Sequence, residues 1–521
     1  MVIVATVMIA GAGPTGLMLA CELRLAGVEV VIVDRLPGRT GQSRAGGMHP
    51  RSMEVLDQRG LLAPFLAAGQ PRQFGHFSGL RMDFSGLATR YPHSLMILQA
   101  SVERLLEERL TELGTQVRWS AEVTGLRQDE QGVTVELGTG DNGTNDLGTG
   151  EQLTVDYLVG CDGGRSAVRK LVGIEFPGTP ATLNSILGDV ELAEPPADWF
   201  FEERREHGRF SVFSFEEGWY RVMTTEYDPD VPRETPVELA DLRAAIIRVA
   251  GTDFGMHSPR WVSRFNDSAR QAAKYRQGRV LLAGDAAHIH FPAGGQGLNM
   301  GVQDAVNLGW KLALVARGQA PATLLDGYHT ERHPVAARVL ANTRAQTALG
   351  RPDTHTTALR EVFAQLIELD TADQQYLSGM ISALDIRYPL GDEHPLTGRR
   401  VPDFDLKTQA GHSRVFELLH EGRAVLLDLG GHAGLAPTLA GWAGRVELVR
   451  AQRAEPTVAV PGLGRCELPR LLLIRPDGYL AWCGPTTEPG DGTGIDLAGL
   501  HTALTSNFGP AEQPGQPRTY S

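Results

Sequence analysis

The hexapeptide Gly11-Ala12-Gly13-Pro14-Thr15-Gly16 limits how this chain can fold more than any other stretch. It follows a continuous apolar run, Val2–Ala10, and opens helical periodicity over Thr15–Leu25. A second apolar run, Val28–Val33, ends at Asp34. Unbroken apolar runs suit parallel strands buried on both faces, so the pattern predicts a Rossmann-like βαβ unit at the start of the chain. Within it, Gly11 permits the tight turn and Gly13 lets backbone approach a pyrophosphate resting on the helix N-terminus, where Pro14 and Thr15 stand. Gly16 allows close helix–strand packing. Asp34, with Arg35 beside it, is placed to accept hydrogen bonds from ribose hydroxyls. A glycine turn alone is a weak signal. With strand, helix and acidic residue in register it predicts a dinucleotide site, without distinguishing FAD from NAD.

Two further segments make that distinction. Tyr157–Ser166 follows a strand, precedes a helix and carries Cys161-Asp162-Gly163. Arg279–His288 places Gly284-Asp285 at a strand end, and Pro292-Ala293-Gly294-Gly295-Gln296-Gly297-Leu298-Asn299 then opens another helix. Asp285 can bind ribityl hydroxyls. Amide donors at a Gly-rich helix N-terminus stabilise negative charge on an electron-rich flavin. On these residues the chain resembles the group A flavoprotein aromatic hydroxylases, the para-hydroxybenzoate hydroxylase superfamily. Their GxGxxG, DG and GD motifs occur in this order and spacing, and the resemblance runs to about residue 390.

The resemblance implies FAD as cofactor and assigns further residues to its site. Arg44 matches the family's flavin-site arginine and Gln99 its FAD-contacting glutamine, with Arg104 one helical turn on. Pro292, Gly295, Gly297, Leu298 and Asn299 lie in the segment that meets the isoalloxazine. Glu22–Val28, Met53–Gly60 and Tyr328–Pro334 are typical of the larger actinomycete members, the polyketide hydroxylases and rifampicin monooxygenase, whose C-terminal extension is thioredoxin-like.

The expected architecture is therefore α/β. Residues 1–176 and 278–394 form the FAD-binding domain with a helical extension, and 177–277 form an inserted β-sheet that binds substrate. Residues 395–510 form a thioredoxin-like domain, and 511–521 a disordered tail. Phe210–Phe215 and Trp219–Thr225 alternate as a hairpin turning at Glu216–Gly218. Only one of its faces can point inward, so core packing and a substrate pocket stand as equal readings for its rings, with Phe213, Phe215 and Trp219 the pocket candidates. Val133–Leu137 and Leu153–Leu158 read as strands flanking a long loop, Gly138–Gly150. Glu202-Glu203-Arg204-Arg205 reads as solvated surface.

The formal charge of -13 argues against nucleic-acid or anionic-membrane partners. No apolar stretch is long enough to span a bilayer, and four cysteines without a CxxC pair fit a reducing cytoplasm. Cys161 reads as a small buried residue. Cys466 and Cys483 lack the geometry for thiol exchange. His288 and His290 have no evident third metal ligand, so no metal is expected, and packing beside the cofactor is the better reading.

The implied function is a monooxygenase. NADPH or NADH reduces the flavin, O2 forms a flavin C4a-hydroperoxide, and one oxygen passes to a large polycyclic phenol, a polyketide intermediate or an ansamycin-type antibiotic. Water must be kept out while this happens. No second dinucleotide motif serves the nicotinamide; in the family the flavin moves between positions, and Gly46-Gly47 would leave it room. A Baeyer–Villiger oxygenation on the same scaffold and a non-catalytic flavin-binding partner remain alternatives. A flavin-dependent halogenase lacks support, because WxWxIP is absent. The sequence names no catalytic base and no oligomeric state.

Overall fold

The computed structural model describes residues 7–139, 151–227, 235–369, 371–391, 394–409, 411–453, 455–484 and 496–512. The anticipated βαβ unit is formed by β1 (Val7–Ala10), α1 (Pro14–Leu25) and β2 (Val30–Val33). Val2–Thr6, most of the Gly138–Gly150 loop and most of the 511–521 tail lie outside the described residues. Helix α2 (Pro50–Asp57) and helix α3 (Gln99–Glu112) follow, then β3 (Val117–Arg118), β4 (Tyr157–Gly160) and α4 (Ala167–Leu171). The second half of this sheet arrives over 100 residues later as β10 (Arg276–Gln277) and β11 (Val280–Leu282). Strand order is β10-β11-β4-β1-β2-β3, parallel except for β10. Val7, Met8, Ile9, Leu158 and Val159 are fully buried, as strands covered on both faces require.

One sequence run divides differently from expectation. Leu153–Leu158 is not a single strand: Glu151–Val155 pairs antiparallel with Val133–Leu137, while Tyr157–Gly160 belongs to the parallel sheet. Asp156, between them, is where the chain leaves one sheet for the other.

Between α4 and β10 lies a five-stranded antiparallel sheet: β5 (Asn184–Leu192), β6 (Phe200–Arg205), β7 (Gly208–Glu216), β8 (Trp219–Glu226) and β9 (Met256–Asn266), in order β6-β7-β8-β5-β9. Alternation sorts its side chains. Ile186, Val190, Phe210, Val212 and Val222 pack with Leu242, Ile246 and Val249 of α5 (Leu239–Ala250). The opposite face carries Phe200, Phe213, Phe215, Arg221 and Trp261. The Glu202–Arg205 run is only half surface. Glu203 and Arg205 pair with each other in the open, but Glu202 lies against Gly79, and Arg204 donates to Arg351 O at 2.6 Å and Thr357 Oγ1 at 2.9 Å. Strand alternation turns these two inward.

Long helices complete this part: α6 (Gln296–Ala316), α7 (Asp326–Leu349), α8 (Thr354–Leu369) and α9 (Thr371–Ser382). Among the described residues no helix is long and apolar enough to cross a membrane. A third sheet follows, from β12 (Asp405–Thr408), β13 (Gly411–Arg414), β14 (Ala424–Asp428), β15 (Val446–Arg453), β16 (Leu471–Ile474) and β17 (Leu480–Cys483), in order β13-β12-β15-β14-β16-β17, with α10 (Leu497–Phe508) against it.

Buried charge joins this last sheet to the rest. Arg475 donates to Glu331 Oε1 and Oε2 at 2.9 and 2.6 Å, and Lys311 donates to Glu331 Oε2 at 2.8 Å. Arg51 reaches Asp477 O at 2.7 Å, and Arg59 binds Glu22 and the carbonyl of Pro476. Burial alone would raise the Glu331 carboxyl, but Arg475 and Lys311 hold it well below the usual range. Lys311 is itself pushed down, to about 8, because burial and Arg475 outweigh the pull of Glu331. Arg475 is thus the main counter-charge.

Replacing Glu331 with Gln leaves buried Lys311 without its carboxylate and Arg475 with Asp477 alone, and should destabilise the fold by about 3–5 kcal/mol, measured by urea unfolding. Glu203→Ala, in an exposed pair, should change stability by less than about 1 kcal/mol. Because the folded carboxyl titrates below its ordinary value of 4.5, the stability Glu331 contributes is complete above that pH and fades as pH falls below it. Wild type should therefore lose stability in acid more steeply than Glu331→Gln.

Candidate active site

The three glycine-bearing segments converge at the C-terminal ends of β1, β4 and β11. Cys161 N donates to Ala10 O at 2.7 Å, and Ala283 N to Gly160 O at 3.0 Å. Each glycine of the first motif has a separate reason. Gly11 has φ +105°, and a Cβ there would lie 2.3 Å from Cys161 O. A Cβ on Gly16 would lie 1.9 Å from Gly11 O. A Cβ on Gly13, by contrast, would meet nothing within 4 Å. Gly13 therefore borders open space at the α1 N-terminus, as a backbone that meets a phosphate group requires. Thr15 wedges between the other segments: a Cβ on Gly301 would come within 2.1 Å of its Oγ1, and one on Gly284 within 2.5 Å. Helix α6 can approach the glycine loop only because residue 301 has no side chain.

The acidic candidates are held in distinct ways. Asp34 accepts from Ala12 N at 2.8 Å and Leu36 N at 2.9 Å, so it braces the glycine loop at the edge of the cofactor space. Asp162 Oδ2 accepts from Ala167 N and Val168 N at the start of α4, while its Oδ1 is buried without a partner. Burial outweighs these bonds and raises its carboxyl above the usual range. Asp285 is exposed, beside Gly284, with its carboxylate free of hydrogen bonds among the described residues.

Asn299 joins the third segment to the first. Its Oδ1 accepts from His49 N at 2.8 Å, and its Nδ2 donates to Gly47 O at 3.2 Å and Gly295 O at 2.9 Å. Gln99 Oε1 accepts from Ala45 N at 3.1 Å, fixing the loop on which Arg44 projects exposed. Pro292 and Gly295 are exposed, Gly297 and Leu298 half-buried, around the α6 N-terminus. Arg35 is exposed just past Asp34. Arg104 departs from this group: its guanidinium pairs with Glu108 at 2.8 Å on the outer face of α3, 44% exposed. Five positions past Gln99 is about 1.4 turns, which swings the side chain roughly 140° round the helix from Gln99.

The pocket candidates divide by contact. Phe215 lies against Gly46, where a Cβ would be 2.4 Å from its ring. The missing side chain at Gly46 is thus used by an aromatic ring of the inserted sheet, not left as free room. Phe213 stacks on Phe215 at 6.1 Å. Trp219 is covered by Arg260 at 3.7 Å and shares a small cavity with Leu98, Phe215 and Arg221.

Sequence reasoning missed the groups that hold these parts together. Asp189 pairs with Arg221 at 2.8 and 3.0 Å and accepts from Trp261 Nε1 at 3.0 Å, while Arg221 also donates to Arg44 O at 3.2 Å. Asp304 Oδ2 accepts from Gly284 N at 3.2 Å and bonds His288 Nε2 at 2.7 Å, and its Oδ1 takes Arg332 Nε at 2.6 Å. His49, beside Gly295, is pushed down to about 4 by burial. The available signal was a charge inside a largely apolar strand (Asp189) or helix (Asp304), which needs a partner when buried. His290 Nδ1 donates to Phe291 O at 2.7 Å, beside the third segment. Cys161 is buried.

Comparison with known proteins agrees with this geometry. The family described as FAD binding domain matches residues 4–343, and the family described as aromatic-ring hydroxylase, C-terminal, matches residues 394–511. The chain belongs to the FAD-dependent aromatic-ring hydroxylases. It is 47% identical over 97% of its length, and 99% of the relative's, to 12-dehydrotetracycline 5-monooxygenase/anhydrotetracycline 6-monooxygenase of Streptomyces rimosus subsp. rimosus. It is 45% identical to the rifampicin monooxygenase of Streptomyces venezuelae, over 92% of this chain and 95% of that one. The OxyS anhydrotetracycline hydroxylase from Streptomyces rimosus superposes with a TM-score of 0.87 at 46% identity, covering 97% of this chain and 99% of that chain. The chain is accordingly a flavoprotein monooxygenase with FAD as cofactor.

The glycine geometry separates two substitutions. Gly13→Ala should leave the flavin-stripped protein within about 0.5 kcal/mol of wild-type stability yet lose FAD, because its methyl enters the cofactor's space. Gly16→Ala should lower both stability and FAD content. Thermal melts with and without added FAD distinguish the two.

Proposed function

We propose that the chain hydroxylates a large polycyclic phenol, a polyketide intermediate or an ansamycin-type antibiotic, using NAD(P)H and O2. One observation carries this reading. The inserted sheet, residues 177–277, carries an aromatic face, Phe200, Phe213 and Phe215, whose Phe215 ring lies on Gly46 of the Arg44–Gly47 loop. Such a face offers wide apolar contact with few orienting polar groups, as sites for large aromatic ligands do. The relatives named for tetracycline intermediates and rifampicin support the same substrate class.

The cofactor residues divide into positions along one molecule. The glycine loop and Asp34 would hold the pyrophosphate and ribose, and Asp285 the ribityl chain. The α6 N-terminus from Pro292 to Asn299, with Arg44 and Gln99, would hold the ring. FAD, when bound, supplies the chemistry: reduced by the nicotinamide, it activates O2 and delivers one oxygen atom. The protein orients the phenol against the ring with the sheet face, and that apolar face excludes water. Amide donors at the α6 N-terminus favour the electron-rich ring. Residues 395–510 take a structural part, through the Arg475–Glu331 contact with α7.

The test is NADPH consumption and product mass with tetracyclic phenols beside simple hydroxybenzoates. Tetracyclic phenols should yield a product one oxygen heavier, with a new phenolic hydroxyl. A ring-expanded lactone would assign Baeyer–Villiger chemistry, and products from hydroxybenzoates alone would overturn the large-substrate reading. Asp285→Ala should weaken FAD by about 1.5–3 kcal/mol, the scale of a lost charge-assisted hydrogen bond, as read by flavin fluorescence titration.

A further inference from the structure

A cavity of about 560 Å³ lies at the far end of the aromatic face, lined by Arg72, Phe74, Arg81, Asp83, Trp199 and Glu368 among others. Its volume is in the range that holds a drug-sized molecule. From its Phe74 wall a row of rings runs toward the Gly46 loop: Phe74 meets Phe200 at 5.2 Å, Phe200 meets Phe213 at 4.8 Å, and Phe213 meets Phe215 at 6.1 Å, with Phe215 seated on Gly46.

The charges in this cavity are arranged unevenly. Arg72 lies over the Trp199 ring at 4.9 Å, and Arg81 over Phe200 at 5.5 Å and Phe74 at 6.0 Å. Arg72 spends one donor on Gln70 Oε1 at 2.8 Å, while its buried Nε has no partner. Arg81 has no hydrogen bond or ion pair among the described residues. The Asp83 carboxylate is turned to its own loop, accepting from Ser85 N at 2.8 Å and Ser85 Oγ at 2.6 Å. Glu368 is exposed at the rim. A guanidinium held near an aromatic face by cation–π attraction can keep N–H donors available for an anion. Two such cations with unused donors, in an aromatic-walled cavity, are suited to a flat ring system that carries an acidic group.

We propose that this cavity is an outer subsite that anchors the acidic end of the polycyclic substrate, a phenolate or enolate, through Arg72 and Arg81, while the opposite end of the ring system reaches the flavin. This rests on the polycyclic-phenol reading above. It adds that the substrate must carry its acidic group on the part remote from the ring that is oxygenated.

The experiment uses the full-length FAD-loaded protein, with anhydrotetracycline as probe. Arg81→Met and Arg72→Met, each checked for wild-type FAD content and melting temperature, are compared with wild type in two assays. In turnover, KM for the probe should rise about tenfold in each variant, the scale of one lost charge-assisted hydrogen bond, with kcat changed much less and KM for NADPH unmoved. In titration without NADPH, the probe should quench tryptophan fluorescence, and the Trp199→Phe protein should lack the largest part of that quenching. Because Arg81 is on the surface, Arg81→Glu provides a stronger second variant and should weaken binding further. Unchanged probe KM and Kd in all three arginine variants would overturn the subsite. A rise in KM for NADPH with none for the probe would also overturn it, assigning the cavity to the dinucleotide. If wild type binds the probe in an arginine-dependent way but does not oxygenate it, the subsite stands and the polycyclic hydroxylase reading fails.

Discussion

The carboxylate of Asp304 sets the alignment on which the cofactor site depends. It is buried in the middle of α6 and divides its lone pairs between two tasks. One oxygen holds Gly284 N–H and His288, and so fixes the turn that presents Asp285. The other accepts from Arg332 of α7 at 2.6 Å. Burial works against the charged form of Asp304, but Arg332 and His288 outweigh it and keep its carboxyl below the usual range. The same helix begins at the Gly295–Asn299 segment. One rigid element therefore indexes two candidate cofactor segments to each other, and Asn299 ties its first turn to the backbone of Gly47 and His49.

The same arrangement couples distant parts of the chain. Arg332 also donates to Tyr388 Oη at 3.2 Å, and Tyr388 packs at 4.2 Å on Tyr479, just before β17. Glu331, the neighbouring residue on α7, takes Arg475, just past β16. Consecutive residues of one helix thus serve the cofactor turn and the C-terminal contact. Buried ion pairs add little net stability compared with apolar packing, yet breaking one partner is expensive. Such pairs suit a junction whose register matters. On the other side of the site, Asp189–Arg221–Trp261 does the equivalent for the inserted sheet, which reaches the Arg44 loop through the Arg221 guanidinium, donating to Arg44 O, and the ring of Phe215.

What the sequence made legible follows from how local each constraint is. The glycine loop was readable residue by residue, because tight turn, open backbone and helix packing each act within a few positions, and Gly11, Gly13 and Gly16 occupy three different environments accordingly. The Phe210–Thr225 hairpin was readable from alternation and its turn. The face its rings adopt was not, because that depends on α5 covering one side. Arg104 illustrates the same limit: it is close to Gln99 in sequence, but the side chain leaves the site and pairs with Glu108. Asp304 and Arg332 lie 28 residues apart on different helices, so no local pattern joins them. Leu153–Leu158 was misread because apolar periodicity does not report a change of sheet.

The central claim is that this scaffold brings reduced FAD, dioxygen and a phenol together and passes one oxygen atom to the ring. Incubation of the FAD-loaded protein with NADPH and a tetracyclic phenol under isotopically labelled dioxygen tests it directly. The account predicts a hydroxylated product that carries label from the gas and none from labelled water in the reciprocal experiment. NADPH oxidation that yields only labelled hydrogen peroxide, or a product whose new oxygen derives from water, would contradict it.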